Sequence, residues 1–109
     1  MQKVQFGSTG FETSRLGVGL SEIGSFELSD QPQATNVLNT ALDNGINFLD
    51  TSACYGISEE LVGNGVSQRR DDYFLATKAG HVARGYEGEA WAFQTVVDSI
   101  DRSLRLLQT

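Results

Sequence analysis

Cysteine is almost absent from this sequence: Cys54 stands alone among 109 residues. That excludes an internal disulfide framework and a multi-cysteine zinc site, and a reducing, cytoplasmic compartment is the expectation. Basic residues are also scarce. Lys plus Arg is 8 against 14 for Asp plus Glu, a net charge of −6, and no basic stretch exceeds Arg69-Arg70. Neither a nucleic-acid surface nor an anionic-membrane surface is expected from this balance. Long apolar runs are missing. None approaches the roughly 20 residues of a membrane span, and Met1-Gln2-Lys3-Val4-Gln5-Phe6-Gly7 has no signal-peptide core. Low-complexity tracts and internal repeats are absent too. A single proline with 12 glycines describes a compact chain with many backbone bends.

What is present alternates between strand and helix signals. Val4 and Phe6, then Gly7-Ser8-Thr9-Gly10, then Phe11 suggest a small hairpin around a glycine-rich turn. Leu16-Gly17-Val18-Gly19-Leu20 reads as a buried strand that something approaches closely. Ser29-Asp30-Gln31-Pro32 is a helix start. Ala34, Val37, Leu38, Ala41 and Leu42 keep helical spacing, and Gly45 is the stop. Ile46 to Asp50 is the next strand, ending in an acid. Ser58-Glu59-Glu60 begins a second helix, with acids where the helix dipole favours them. Its body, Leu61 to Val66, is weakened by Gly63 and Gly65. Tyr73 to Lys78 is a third strand, His81 to Glu89 a polar loop, and Val96, Val97, Ile100, Leu104 and Leu107 mark a third helix. A hairpin followed by three strand–helix units means a parallel sheet with right-handed crossovers. Three such units would leave a strand edge and an apolar face open, so the chain reads as a piece of something larger.

Three residues stand at or just beyond the C-terminal ends of the predicted strands: Asp50, Tyr55 and Lys78. Parallel sheets and barrels place their sites there. A phenol beside an ammonium is a usable acid, because a nearby cation favours phenolate and brings proton donation toward neutrality. A carboxylate next to the lysine would hold it charged and aimed. The same residues also suit a plain reading, with Asp50-Thr51-Ser52 as a strand-end turn, Tyr55 a loop aromatic and Lys78 a solvated charge. Spacing alone leaves both open.

The segment Gly45-Ile46-Asn47-Phe48-Leu49-Asp50-Thr51-Ser52-Ala53-Cys54-Tyr55-Gly56-Ile57-Ser58-Glu59 resembles the signature of the aldo-keto reductase family. Phe6 to Gly10 and Ser14 to Gly19 resemble the family's opening hairpin and first strand. Ala76-Thr77-Lys78 resembles its third strand, and Ser103 to Leu107 the helix before its fourth. The likeness covers nearly all of the chain. It implies an α/β fold: parallel (β/α) units of a TIM-type (β/α)8 barrel, preceded by a β-hairpin and truncated after about three units. Residues 1–109 are then the N-terminal part of one barrel domain, which needs about 250 residues in full.

The resemblance further implies reduction of aldehydes or ketones with NADPH, or with NADH. Tyr55 would be the proton donor, Lys78 would lower its pKa, and Asp50 would pair with Lys78 and touch the nicotinamide ribose. The backbone at Gly19 and Leu20 is the other cofactor contact carried over. Tyr55 and Trp91 are the candidate substrate contacts, although Trp91 and Phe93 suit packing of the third helix start equally well. The family's histidine belongs to the fourth strand, and its phosphate contacts to later strands. His81, the only histidine, is not at the motif position and is expected to be a loop residue. The 109 residues alone are expected to bind NADPH poorly and turn over negligibly. No metal is implied.

Cys54 has no adjacent base to activate it and reads as a small loop residue. Arg84, Tyr86 and Glu87 carry no motif. Two rival readings remain. One is a Rossmann dehydrogenase with Gly17-Val18-Gly19 as a phosphate turn, which suffers from Glu22 where the third glycine belongs. The other is a non-catalytic half-barrel that covers its open edges by self-association or with a partner.

Overall fold

A computed structural model describes all residues, Met1 to Thr109. Five short strands and three α-helices follow one another in the chain: β1 (Lys3–Gln5), β2 (Glu12–Ser14), β3 (Val18–Gly19), α1 (Gln31–Asp43), β4 (Phe48–Asp50), α2 (Ser58–Val66), β5 (Phe74–Ala76) and α3 (Phe93–Leu107). β1 and β2 pair antiparallel, while β3, β4 and β5 form a parallel sheet in that order. Register places Gly19 beside Asp50 and Asp50 beside Ala76, so the strands end level.

α1 starts as its sequence dictates, with Pro32 in the first turn, and ends before Gly45, whose φ of +81° is the left-handed conformation that closes a helix. Between the sheet and the helices lies one core. Leu38 of α1, Leu49 of β4, and Leu61, Val62 and Val66 of α2 are fully buried there. Gly63 and Gly65 are what let α2 sit so close. A methyl group on Gly63 would overlap the Leu106 carbonyl of α3, and one on Gly65 would press on Thr35 and Gln31 of α1. The low helix propensity of these glycines is offset by contacts that no larger residue permits.

The β1–β2 pair lies across the N-terminal ends of the parallel strands. Asn47 fastens it, its Oδ1 accepting from the Ser14 N–H at 2.6 Å and its Nδ2 donating to the Glu12 carbonyl at 3.1 Å. Phe11 stacks on Phe74 with ring centroids 4.7 Å apart, and Phe6 meets Phe48 at 5.4 Å. The opposite, C-terminal end of the sheet is left open.

Several sequence expectations need correction. The Leu16–Leu20 run is not a buried strand: only Val18–Gly19 pairs, Leu16 is exposed, and Leu20 alone is buried. β3 is an edge strand, so one of its sides has no neighbour to bury against. Its close approach comes from the next strand, since a Cβ on Gly17 would lie 3.3 Å from Phe48. Glu59 stands in the first turn of α2 as expected, and what the sequence did not show is that it is buried and paired with Arg102. Finally, α3 buries a largely polar face, Thr95, Ser99, Arg102, Ser103 and Leu107, while Ile100 and Leu104 are about half exposed. Those two face the free edge of β5, where Leu75, Ile100 and Leu104 line an apolar groove of about 270 Å³.

Candidate active site

The open end of the sheet gathers the chemistry. Asp50 closes β4, and the chain then turns through Thr51 to Ile57 before α2 begins. This turn is tied down from both sides. Its Thr51 N–H donates to the Ala76 carbonyl at 2.9 Å and its Ala53 N–H to the Lys78 carbonyl at 3.3 Å. Ser58 Oγ donates to the Leu20 carbonyl at 2.8 Å and shares a hydrogen with Thr51 Oγ1, also at 2.8 Å. Across from it, Gly24 and Gly56 touch backbone to backbone, and a Cβ on Gly24 would overlap the Tyr55 carbonyl. The position of Tyr55 is therefore set by main-chain contacts rather than by its own ring.

Lys78 lies two residues past β5 and leans over the same turn. Its Nζ donates to Asp50 Oδ1 at 2.8 Å and to the Thr51 carbonyl at 2.9 Å, and sits 5.1 Å from the centroid of the Tyr55 ring. That is within the range of a cation–π contact. The hydrogen bond to Asp50 raises the Lys78 pKa above its ordinary 10.5, partial burial opposes it, and the charge of Asp50 and the phenol of Tyr55 add to the rise. Lys78 is thus held as an ammonium. Asp50 Oδ2 has no protein donor, the side chain is 42% exposed, and Gly19 pairs beside it with nothing within 4 Å of where a Cβ would stand.

A cleft of about 170 Å³ opens beside this cluster, lined by Ser52, Cys54, Tyr55, Lys78, Ala79, His81 and Trp91. Trp91 forms the far wall. Its backbone has φ +67°, strained for a bulky residue, and its N–H donates to the Gly80 carbonyl at 2.6 Å. The indole lies on Gly80, where a Cβ would overlap it, and meets the His81 ring edge-on at 5.3 Å.

The structure therefore brings Asp50, Tyr55 and Lys78 together and sets Trp91 across the cleft from them. Gly19 is open beside Asp50. Leu20 is less available: it is buried, with its N–H bonded to the Asp50 carbonyl at 2.9 Å and its carbonyl taken by Ser58. Phe93 starts α3 with its ring in solvent and does not line the cleft. His81 lies in a loop as expected, yet it lines the cleft, because the left-handed Gly80 folds Trp91 back onto it. No local sequence signal could have found it, since its place depends on the Trp91 ring ten positions further on. Cys54 is exposed, with Ser52 Oγ 3.2 Å from its sulfur.

A parallel sheet with carboxylate, phenol and ammonium at the carboxyl ends of its strands is the layout of a barrel-type oxidoreductase site. The Aldo/keto reductase family profile matches residues 15–109. An oxidoreductase of Bacillus subtilis (strain 168), YqkF, is 34% identical over 114 residues, covering 100% of this chain and 36% of the relative. L-galactose dehydrogenase of Arabidopsis thaliana is 39% identical over 108 residues, covering 94% of this chain and 33% of the relative. Among solved structures, an aldo-keto reductase from Klebsiella pneumoniae in complex with NADPH superposes with a TM-score of 0.70 at 25% identity, over 92% of this chain and 33% of that one. A Pseudomonas aeruginosa protein assigned to the same group reaches a TM-score of 0.83 at 32% identity, over 98% and 42%. The chain belongs to the aldo-keto reductase family, and it spans about a third of the length of the curated relatives it matches.

The Rossmann reading falls with this. Strand order does not decide it, since three adjacent parallel strands also occur in a doubly wound sheet. The connection after β3 does: two 3-10 turns, Glu22–Ser25 and Leu28–Asp30, precede α1, so no helix N-terminus faces Gly17-Val18-Gly19.

Proposed function

We propose that the protein containing this chain reduces an aldehyde or ketone to an alcohol with NADPH, or with NADH, and that residues 1–109 are the first three (β/α) units of its (β/α)8 barrel. The observation that carries this reading is the Asp50–Lys78–Tyr55 cluster at the carboxyl ends of β4 and β5. The nicotinamide cofactor, when bound, supplies a hydride to the carbonyl carbon. The free oxygen of Asp50 and the open backbone at Gly19 suit a ribose hydroxyl at that end of the sheet. Relatives crystallised with NADPH and with NADP support the choice of cofactor.

The chain's own residues then handle the proton. Tyr55 Oη donates its hydrogen to the carbonyl oxygen as the alkoxide develops, leaving phenolate. The Lys78 ammonium stabilises that phenolate, because a cation nearby favours the charged form of a phenol. Asp50 keeps Lys78 charged and aimed. Trp91 offers a flat apolar wall to the substrate, and His81 offers a polar group at the rim. Alone, the 109-residue chain turns over negligibly.

The deciding experiment is consumption of NADPH at 340 nm by the natural protein with a panel of aldehydes, beside the Tyr55→Phe variant. Turnover in the wild type that drops by about 10²–10⁴ in Tyr55→Phe, the usual share of a general acid, supports the reading. Equal turnover in the two would sink it.

A further inference from the structure

The turn that carries Tyr55 and the strand that carries Lys78 share an anchor that takes no part in the proton chemistry. Glu59, in the first turn of α2, has 1% of its side chain exposed. Its Oε1 accepts from Thr77 Oγ1 at 2.7 Å and from Ser103 Oγ at 2.6 Å, and its Oε2 accepts from Arg102 Nη1 at 3.1 Å. The same Arg102 nitrogen donates to the Ala53 carbonyl at 3.3 Å. Thr77 immediately precedes Lys78, and Ala53 lies just ahead of Tyr55 in the turn. Ala53 also donates its N–H to the Lys78 carbonyl. One ion pair, built from α2 and α3, therefore touches both segments next to their reactive residues.

Burying a carboxylate is costly unless donors fill its lone pairs, and here three side chains do so. A buried pair replaced by apolar groups of similar volume often leaves stability unchanged or higher, so hydrophobic packing would have served the fold at least as well. What an apolar contact lacks is direction. General acid catalysis depends on direction, since small misplacements cost large factors in rate.

We propose that Glu59 and Arg102 are positioning residues of the reductase site: through Thr77 and the Ala53 carbonyl they set the spacing of the Tyr55 phenol and the Lys78 ammonium. The proposal rests on the carbonyl-reduction reading.

The test uses the natural protein, with Thr77→Val, Arg102→Lys and Arg102→Met beside the wild type. Thr77→Val removes one hydroxyl at the surface end of the network and keeps its shape, so the fold is retained and circular dichroism checks it. Two readouts are taken. The first is kcat and KM for 4-nitrobenzaldehyde with NADPH. The second is an NMR titration of the Lys78 side chain, assigned by the signal lost in a Lys78→Arg variant. Thr77→Val is expected to lower kcat about tenfold with KM nearly unchanged, the pattern of an interaction felt in the transition state. Arg102→Met loses more, and Arg102→Lys recovers part of that loss. In each variant the Lys78 titration moves down toward its ordinary value near 10.5 as the contact with Asp50 loosens. Folded variants with unchanged kcat and an unchanged Lys78 titration would overturn the proposal. A wild type with no turnover would overturn the reductase reading alone, and the Lys78 titration would still judge the positioning role.

Discussion

Lys78 and Tyr73 respond to alkali with the same sign. Both pKa values are raised in the fold, Lys78 above 10.5 by its bond to Asp50 and Tyr73 above 10.0 by burial. Each therefore contributes stability that is fully present below the ordinary value and is lost as pH rises through the raised one. Lys78 and Asp50 are 49% and 42% exposed, so solvent screens their pair and its share is about 0–1 kcal/mol. Tyr73 is buried, with its hydroxyl 3.4 Å from the Val66 carbonyl. Thermal melts should thus be flat from neutrality to about pH 10 and fall beyond it. Tyr73→Phe should blunt that alkaline fall more than Lys78→Met does. Asp50, Tyr55 and Lys78 could be singled out from the sequence because they stand at strand ends, where parallel sheets build sites, and within segments that resemble a family signature; strand-end position by itself left a plain reading open. His81 could not be singled out, because its place in the cleft depends on the indole of Trp91 folding back over Gly80.

Among the elements, α1 was the most legible. Pro32, regular apolar spacing and Gly45 all agree, and the helix runs from Gln31 to Asp43, although Asp30 caps no N–H of α1 and accepts from the Glu27 N–H at 2.9 Å instead. For α2 the sequence misleads, since its glycines look like weaknesses until the Leu106 carbonyl appears beside Gly63. Gly63→Ala should therefore destabilise the chain by about 1–3 kcal/mol, the usual cost of overpacking, despite alanine's better helix propensity. Urea unfolding measures it, and an unchanged or higher midpoint would show that α2 and α3 can separate freely. The buried polar face of α3 is illegible for another reason. Ser103 meets Glu59 across 44 positions of sequence, and no local pattern records such a partner. Arg102→Ala leaves Glu59 buried and uncompensated, so a loss of about 3–5 kcal/mol is expected in the same measurement. A cost under 1 kcal/mol would mean that water reaches the site.

For the whole molecule, the decisive features are the edges. β3 and β5 are the outer strands of the parallel sheet, with an apolar groove beside β5 and Phe93 in solvent. Unpaired strand edges with apolar surface invite pairing. The isolated 109-residue chain is expected to self-associate, its apparent mass in sedimentation velocity rising with protein concentration. A monomer at all concentrations would show that its charge of −6 outweighs the exposed edges. No helix here is long and apolar enough to cross a membrane.

Sequence alone settled the order of strands and helices, the parallel sheet and the three candidate side chains, Asp50, Tyr55 and Lys78, that the fold brings together. These follow from local signals: apolar period, the Gly45 stop, and two short motifs, Gly45 to Glu59 and Ala76 to Lys78. Tertiary structure decided which face of α3 is buried, why α2 carries glycines, where His81 lies and what Glu59 is for. Each of those depends on a partner far away in the chain. Burial and hydrogen bonding at such a position are set by what the fold brings against it, and local sequence carries no trace of that neighbour.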